Sequence, residues 1–267
     1  MRSFDYLQPS TLGEATAHLR SGTEIRLLAG GMTLLPTIKQ RLAAPDALVD
    51  LAGVPALTGI EDEGCSLLVG AMARHAAVAA SPLVRSRIPA LADLAAGIGD
   101  PAVRNRGTIG GSLANNDPAA DYPAAVLGLG ATIVTSEREI AADDFFLGLF
   151  ETALGAEEII TAIRFPVPRA AAYVKFKAPA SRYALVGVFV AQTAEGVRVA
   201  VTGAGPAVFR VPAMEEALAA DFTPSAVAAI GIDADDLNSD IHAEAGYRAH
   251  LVTVMAKRAV AAAAKGF

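Results

Sequence analysis

The sequence predicts an α+β protein in two parts. Strand-like and helical runs succeed one another in mixed order over residues 1–166. Pro166 and Pro168 then close a strand-like run, and because proline cannot donate to a strand ladder a boundary falls near 166–170. Beyond it, three strand-like runs joined by turns precede alanine-rich stretches of helical composition. With 267 residues, 53% of them hydrophobic and 19% charged, the chain can bury one large core or two modest ones.

Taken in order, "PSTLGEATAHLRSG" is a capped amphipathic helix, with Ser10 or Thr11 as N-cap and Gly22 as terminator. "IRLLAGG" is a short apolar strand stopped by a double glycine, and "TLLPTIKQRLA" has helical character. "DALVDLA", "LTGIEDEGCSLLVGAMA" and "ATIVTSEREIAADDFF" are strand-like, whereas "AAVAASPLVRSRIPALADLAAGI" and "PAAVLGLG" are helical. "EEIITAIRFPVP" is the strand that ends the first part. "AAYVKFKAP", "YALVGVFVAQT" and "VRVAVTGAG" then form an antiparallel meander, and "PAMEEALAADFTPSAVAAIGI" and "GYRAHLVTVMAKRAVAAAAKGF" are helical.

Composition excludes several classes of function. A net charge of −6 without any Lys/Arg-rich block argues against a nucleic-acid surface. The single cysteine, Cys65, rules out an internal disulfide framework and a cysteine-ligated cluster held by this chain alone. The start has neither a basic n-region nor an apolar h-region, and no apolar run reaches the ~20 residues that span a bilayer. A soluble protein without a transmembrane segment is expected, and the cytoplasm is its natural compartment.

Two glycine loops carry the chemistry. "AGGMTLLP" (29–36) and "TIGGSLANND" (108–117) both place a Gly-Gly pair before a hydroxyl residue, Thr33 or Ser112, and a leucine. Adjacent glycines permit positive φ and leave no Cβ in the way, so successive N–H groups can converge on an anion such as a pyrophosphate. If helices follow, their positive ends point at the same group. Each pair alone could be a mere tight turn. Rival motifs fail. "GAGPAV" lacks the third glycine of a dinucleotide turn, and no P-loop or H-E-x-x-H is present. "GGSLA" would make Ser112 a nucleophile, but the residues before it are charged and turn-like instead of a buried strand. His18, His75, His242 and His250 are scattered, and surface or packing roles are the default for all four. No catalytic or metal-binding residue is assigned.

"AGGMTLLPTIKQRL" and "IGDPAVRNRGTIGGSLANNDPAADYPA" resemble the two signature loops of the FAD-binding medium subunit of molybdenum hydroxylases. That group is typified by aerobic carbon monoxide dehydrogenase and related to the flavin domain of xanthine dehydrogenase. "KFKAPASRYALVGV" and "NSDIHAEAGYRAHLVTVMAKRAV" resemble segments of the same subunit's C-terminal domain, so the resemblance runs through the whole chain. It implies a two-lobed FAD-binding domain of the PCMH, or vanillyl-alcohol-oxidase, type over 1–166, with lobes of about 1–52 and 53–166. A smaller C-terminal domain of three-stranded antiparallel sheet and helices follows over 170–267.

The resemblance also implies an electron relay. A large partner subunit carries the molybdenum cofactor, a small one carries [2Fe–2S] clusters, and FAD on this chain collects electrons for an external acceptor. The assembly implied is a dimer of heterotrimers, cytoplasmic or peripheral at the inner face of a membrane through the complex. The apolar surplus offers an interface, for which the alanine-rich C-terminal segment and the loop after Ser112 are the candidates. Residue by residue, Ala29, Gly30, Gly31, Met32, Thr33 and Leu34 match the first loop, and Thr108, Ile109, Gly110, Gly111 and Ser112 the second. Asp121 matches an acidic position close to the cofactor, with Asp117 as its neighbour; the alternative for both is N-capping before "YPAAVLGL". Ile98 matches an apolar side chain against the cofactor, Lys177 a basic residue near the flavin, and Tyr183 an aromatic near its ring system.

The first loop departs from the commoner "AGGHS", with Met32 and Thr33 in place of histidine and serine, and Asn116 stands at a variable position. An assembly subunit with a decayed flavin site and a free-standing FAD oxidase remain as alternatives. The substrate of the molybdenum subunit (carbon monoxide, a purine, an aldehyde or an N-heterocycle) and the acceptor (NAD⁺, a quinone or another) are open.

Overall fold

Residues 2–22 and 24–265 are described in a computed structural model. The chain opens with strand β1 (Asp5–Leu7), helix α1 (Leu12–Arg20), strand β2 (Ile25–Leu28), helix α2 (Leu34–Lys39) and strand β3 (Ala47–Asp50). Thr11 is the N-cap of α1. Its hydroxyl accepts from the Glu14 N–H at 3.2 Å while the Glu14 carboxylate accepts from the Ser10 N–H at 2.7 Å, a reciprocal closure of the helix start. The three strands form a parallel sheet in the order β1-β3-β2. All four residues of β3, the middle strand, are buried, as expected where both faces of a parallel sheet are covered.

Strands β4 (Ile60–Asp62) and β5 (Ser66–Gly70) begin the second sheet. Helices α3 (His75–Ala80), α4 (Pro82–Arg87), α5 (Pro89–Ala96), α6 (Pro101–Arg104), α7 (Ile109–Asn115) and α8 (Tyr122–Leu129) follow. The long helical run expected over this stretch is broken because Pro82 and Pro89 each occupy the first turn of a new helix, where a missing N–H costs nothing. Strands β6 (Thr132–Thr135) and β7 (Glu139–Ala141), helix α9 (Ala142–Phe145), strands β8 (Phe146–Gly148) and β9 (Glu151–Thr152), and strand β10 (Ile160–Pro166) complete this part. The "ADDF" that was expected as strand is therefore the one-turn helix α9. The antiparallel sheet has the order β4-β5-β10-β6-β7, and β8 pairs β9 in a separate hairpin.

After Pro166 come strands β11 (Ala170–Lys177), β12 (Ala184–Gln192), β13 (Val197–Thr202) and β14 (Phe209–Arg210) and helices α10 (Pro212–Ala220) and α11 (Ala245–Ala263). The sheet is an antiparallel meander of four strands, one more than expected; two residues are too short to show an alternation. Residues 221–232, expected as helix, contain no helix: 223–230 form successive i→i+3 turns around Pro224, which has no N–H to give a helical bond. In β12 side chains alternate between two cores: Phe189 and Ala191 join the core around α5, α8 and the five-stranded sheet, while Val186, Val188 and Val190 pack on α11. That double burial explains its unbroken apolar run. Leu251, Val252, Met255, Ala256, Ala259 and Val260 of α11 fill the same second core, so the apolar face of the C-terminal segment covers its own sheet and the interface expected there is not free. Large exposed apolar side chains sit instead on the β8–β9 hairpin, at Leu147, Leu149 and Phe150.

Candidate functional site: a cleft between two glycine loops

The end of the parallel sheet, the start of α7 and the β11–β12 turn enclose a cleft of about 500 Å³. At one wall, β2 stops at Leu28 and Gly31 turns the chain with φ +73°, a left-handed conformation that glycine takes without strain. The N–H groups of Gly30, Gly31, Met32, Thr33 and Leu34 have no acceptor among the described residues. The Thr33 hydroxyl likewise caps nothing. A run of unsatisfied donors with a hydroxyl beside it is a cradle for an anion.

The second loop differs from expectation. Gly110 and Gly111 lie inside α7, neither with positive φ. Thr108 is the N-cap and its Oγ1 accepts from the Gly111 N–H at 3.2 Å. Ile109 N–H donates to the Ala73 carbonyl (3.1 Å), Gly110 N–H to that of Ala71 (2.8 Å) and Ser112 N–H to that of Thr108 (3.0 Å). The glycines here admit neighbours: a Cβ on Gly110 would stand 2.6 Å from the Ala71 Cβ and 2.8 Å from its oxygen. One on Gly30 would collide with the Arg106 carbonyl, so the two loops meet backbone to backbone. Ser112 lines the cleft and its hydroxyl has no partner among the described residues.

Asp121 lines the cleft nearly fully buried. It occupies the N-cap of α8, but its side chain caps nothing. The Tyr173 hydroxyl donates to Oδ1 at 2.5 Å and the Lys175 ammonium reaches the carboxylate at 2.9 and 3.0 Å. Burial raises its pKa, while Lys175 and Tyr173 oppose that shift. Asp117 accepts from the Ala119 N–H at 2.9 Å and faces the cleft from the same loop. Ile98 and the half-exposed Tyr183 complete the walls, and burial raises the Tyr183 pKa.

Two expected residues are elsewhere. Ile109 is wholly buried in the core, because its place in the first turn of α7 points it away from the cleft surface. Lys177 is exposed and does not line the cleft. Lys175, two residues earlier in β11, is the lysine that reaches Asp121; strand alternation alone does not choose between the two. His75, assigned by default to packing or surface, lines the cleft at 5% exposure. Burial lowers its pKa to about 4, so the ring is neutral, and its Nδ1 has no partner. A lone histidine gives no sequence signal for such a place.

Residues 2–168 match the family described as the FAD binding domain in molybdopterin dehydrogenase. The chain belongs to this family. It is 38% identical to the carbon monoxide dehydrogenase medium chain of Hydrogenophaga pseudoflava, over 97% of this chain and 96% of the relative. It is 37% identical to the nicotine 6-hydroxylase medium subunit of Paenarthrobacter nicotinovorans, over 96% and 95%. Among solved structures, a carbon monoxide dehydrogenase from H. pseudoflava superposes with a TM-score of 0.90 at 36% identity, over 99% of this chain and 98% of that one. Quinoline 2-oxidoreductase from Pseudomonas putida 86 gives 0.90 at 30%, with the same coverage. The flavin-binding fold with a smaller sheet-and-helix part is thereby established. The cleft fits the cofactor: five N–H donors and two hydroxyls without partners among the described residues suit a diphosphate, and apolar lining side chains such as Ile98 and Leu154 suit ring systems.

Proposed function

We propose that this chain is the FAD-binding medium subunit of a molybdenum hydroxylase complex. It takes electrons from the [2Fe–2S] clusters of a small partner subunit and hands them, through FAD, to an external acceptor, while a large subunit holds the molybdenum cofactor and oxidises the substrate. The observation that carries this reading is the row of free donors from Gly30 to Leu34, opening on the cleft of a chain that belongs to a FAD-binding family. When bound, FAD supplies the redox chemistry, accepting and releasing electrons singly or in pairs.

The chain's own residues bind and orient. Gly30 to Leu34 cradle the diphosphate with backbone donors, and the Thr33 and Ser112 hydroxyls add to them. Ile98 and Tyr183 bracket the ring system, and Asp121 with Asp117 supplies polar contacts beside it. The flavin-binding domain spans 1–166, in lobes of about 1–52 and 53–166, with 170–267 as the second domain; in support, the three-, five- and four-stranded sheets lie one within each of these spans, and the β8–β9 hairpin lies within the second. The intact donor row speaks against a decayed site. The near-complete coverage of medium subunits speaks against a free-standing oxidase. No helix among the described residues is long and apolar enough to cross a membrane, and we place the complex in the cytoplasm as a dimer of heterotrimers.

The test is purification of the native protein. We expect a yellow complex with one FAD per copy of this chain, bound together with an iron–sulfur and a molybdenum subunit. A folded protein that takes up no FAD overturns the flavin role. A stable monomer that turns over substrate with FAD alone overturns the subunit role.

A further inference from the structure

The group at the cleft wall that the cradle does not explain is the buried pair of Asp121 and Lys175. Asp121 is 5% exposed, and the Lys175 side chain 10%. Lys175 donates to both carboxylate oxygens and to the Gly97 carbonyl at 3.0 Å, while Tyr173, on the same face of β11, donates at 2.5 Å. The titratable groups facing Asp121 are thus Tyr173 and Lys175 from β11, Tyr122 beside it on α8 and Tyr183 from the β11–β12 turn, which Asp117 also faces. Of these, Lys175 alone is a cation. A buried ion pair loses hydration on both sides and is poor stabilisation compared with apolar packing. One whose carboxylate borders a redox cofactor's cleft has an electrostatic use, because charge in a low-dielectric wall acts strongly on charge that changes inside it.

We propose that Lys175 is a positioning residue for the flavin: it holds Asp121 as a carboxylate at the cleft wall, keeps the pair neutral, and so sets the reduction potential of the cofactor. The inference rests on the flavin role proposed above. Reduction adds negative charge to the flavin. A wall with net negative charge therefore lowers the potential, and one with net positive charge raises it.

The test is a redox titration of FAD-loaded Lys175→Met, Asp121→Asn, the double variant and Lys175→Arg, across pH. Lys175→Met is expected to lower the potential at alkaline pH, with the shift closing as pH falls and Asp121 takes up a proton. Asp121→Asn is expected to raise the potential. The double variant and Lys175→Arg return it to the parent value. If Lys175→Met does not fold, the raised potential of Asp121→Asn and its return to the parent value in the double variant decide. Equal potentials in the parent, Asp121→Asn and the double variant overturn the role of Lys175 while leaving the flavin role intact. A parent that binds no FAD overturns both.

Discussion

The two glycine loops share one sequence pattern and do two different jobs. From Gly30 to Leu34 five N–H groups stand free and Gly31 takes a left-handed turn; from Ile109 to Ser112 every N–H is engaged within the chain and both glycines are helical. The first loop is a donor surface. The second is a brace: the missing Cβ of Gly110 lets α7 rest on Ala71, and that of Gly30 lets the first loop lie against the Arg106 carbonyl. A Gly-Gly-x-hydroxyl pattern therefore reports that the backbone must approach something; which thing depends on whether its donors are already taken.

The sharpest way to break the comparison is a branched side chain in the brace. Gly110→Val puts carbon within 2.6–3.0 Å of Ala71, where backbone must move, and should cost about 3 kcal/mol in denaturant unfolding of the FAD-free protein. A parent-like midpoint would show that the brace has slack. Next in size is acid. His75 packs under Gly107, neutral and with its folded-state pKa lowered to about 4. Between that value and its unfolded pKa of about 6.5 the unfolded chain binds the extra proton, so stability falls as pH drops through this window, by on the order of 3 kcal/mol in total. His75→Phe should flatten the slope, and an unchanged slope would assign the acid sensitivity elsewhere.

Gly31→Ala acts on the donor surface. A side chain at φ +73° costs ~1–2 kcal/mol of strain, and its Cβ would press the Leu35 methyl at 2.9 Å. The expected readout is a loss of FAD affinity of roughly tenfold or more, alongside a loss of FAD-free stability of the size of that strain.

Much of this was legible in the sequence and some was not, for physical reasons. The meander, the end of the strand at Pro166, the Thr11 cap and the two loops follow from local chemistry that each segment carries within itself. What a segment meets across space is not written locally. Nothing in "TIGGS" says that Ala71 and Ala73 will take its donors, and nothing in "YVKFK" says which lysine finds a buried carboxylate. Ile109 looked like part of a ligand loop because its neighbours did, yet the helical turn carries it into the core. His75 carried no signal because its role depends on Gly107 and Tyr122, which lie far along the chain.

The smallest expected effects give the cleanest contrast, because each loop offers one threonine hydroxyl. Thr108 Oγ1 accepts from the Gly111 N–H and closes the first turn of α7, whereas the Thr33 hydroxyl caps nothing and lines the cleft. Thr108→Ala should therefore cost about 1 kcal/mol of stability as a lost N-cap. Its effect on FAD affinity should be slight, since the hydroxyl is already engaged with the protein. Thr33→Ala should leave FAD-free stability within about 0.5 kcal/mol, as a substitution that breaks no internal contact. It should weaken FAD by about 1 kcal/mol, the size of one lost hydrogen bond. Unfolding and FAD titration on the same two proteins measure all four quantities. A crossed result, in which Thr33 matters for folding and Thr108 for FAD, would mean that brace and donor surface have been assigned to the wrong loops.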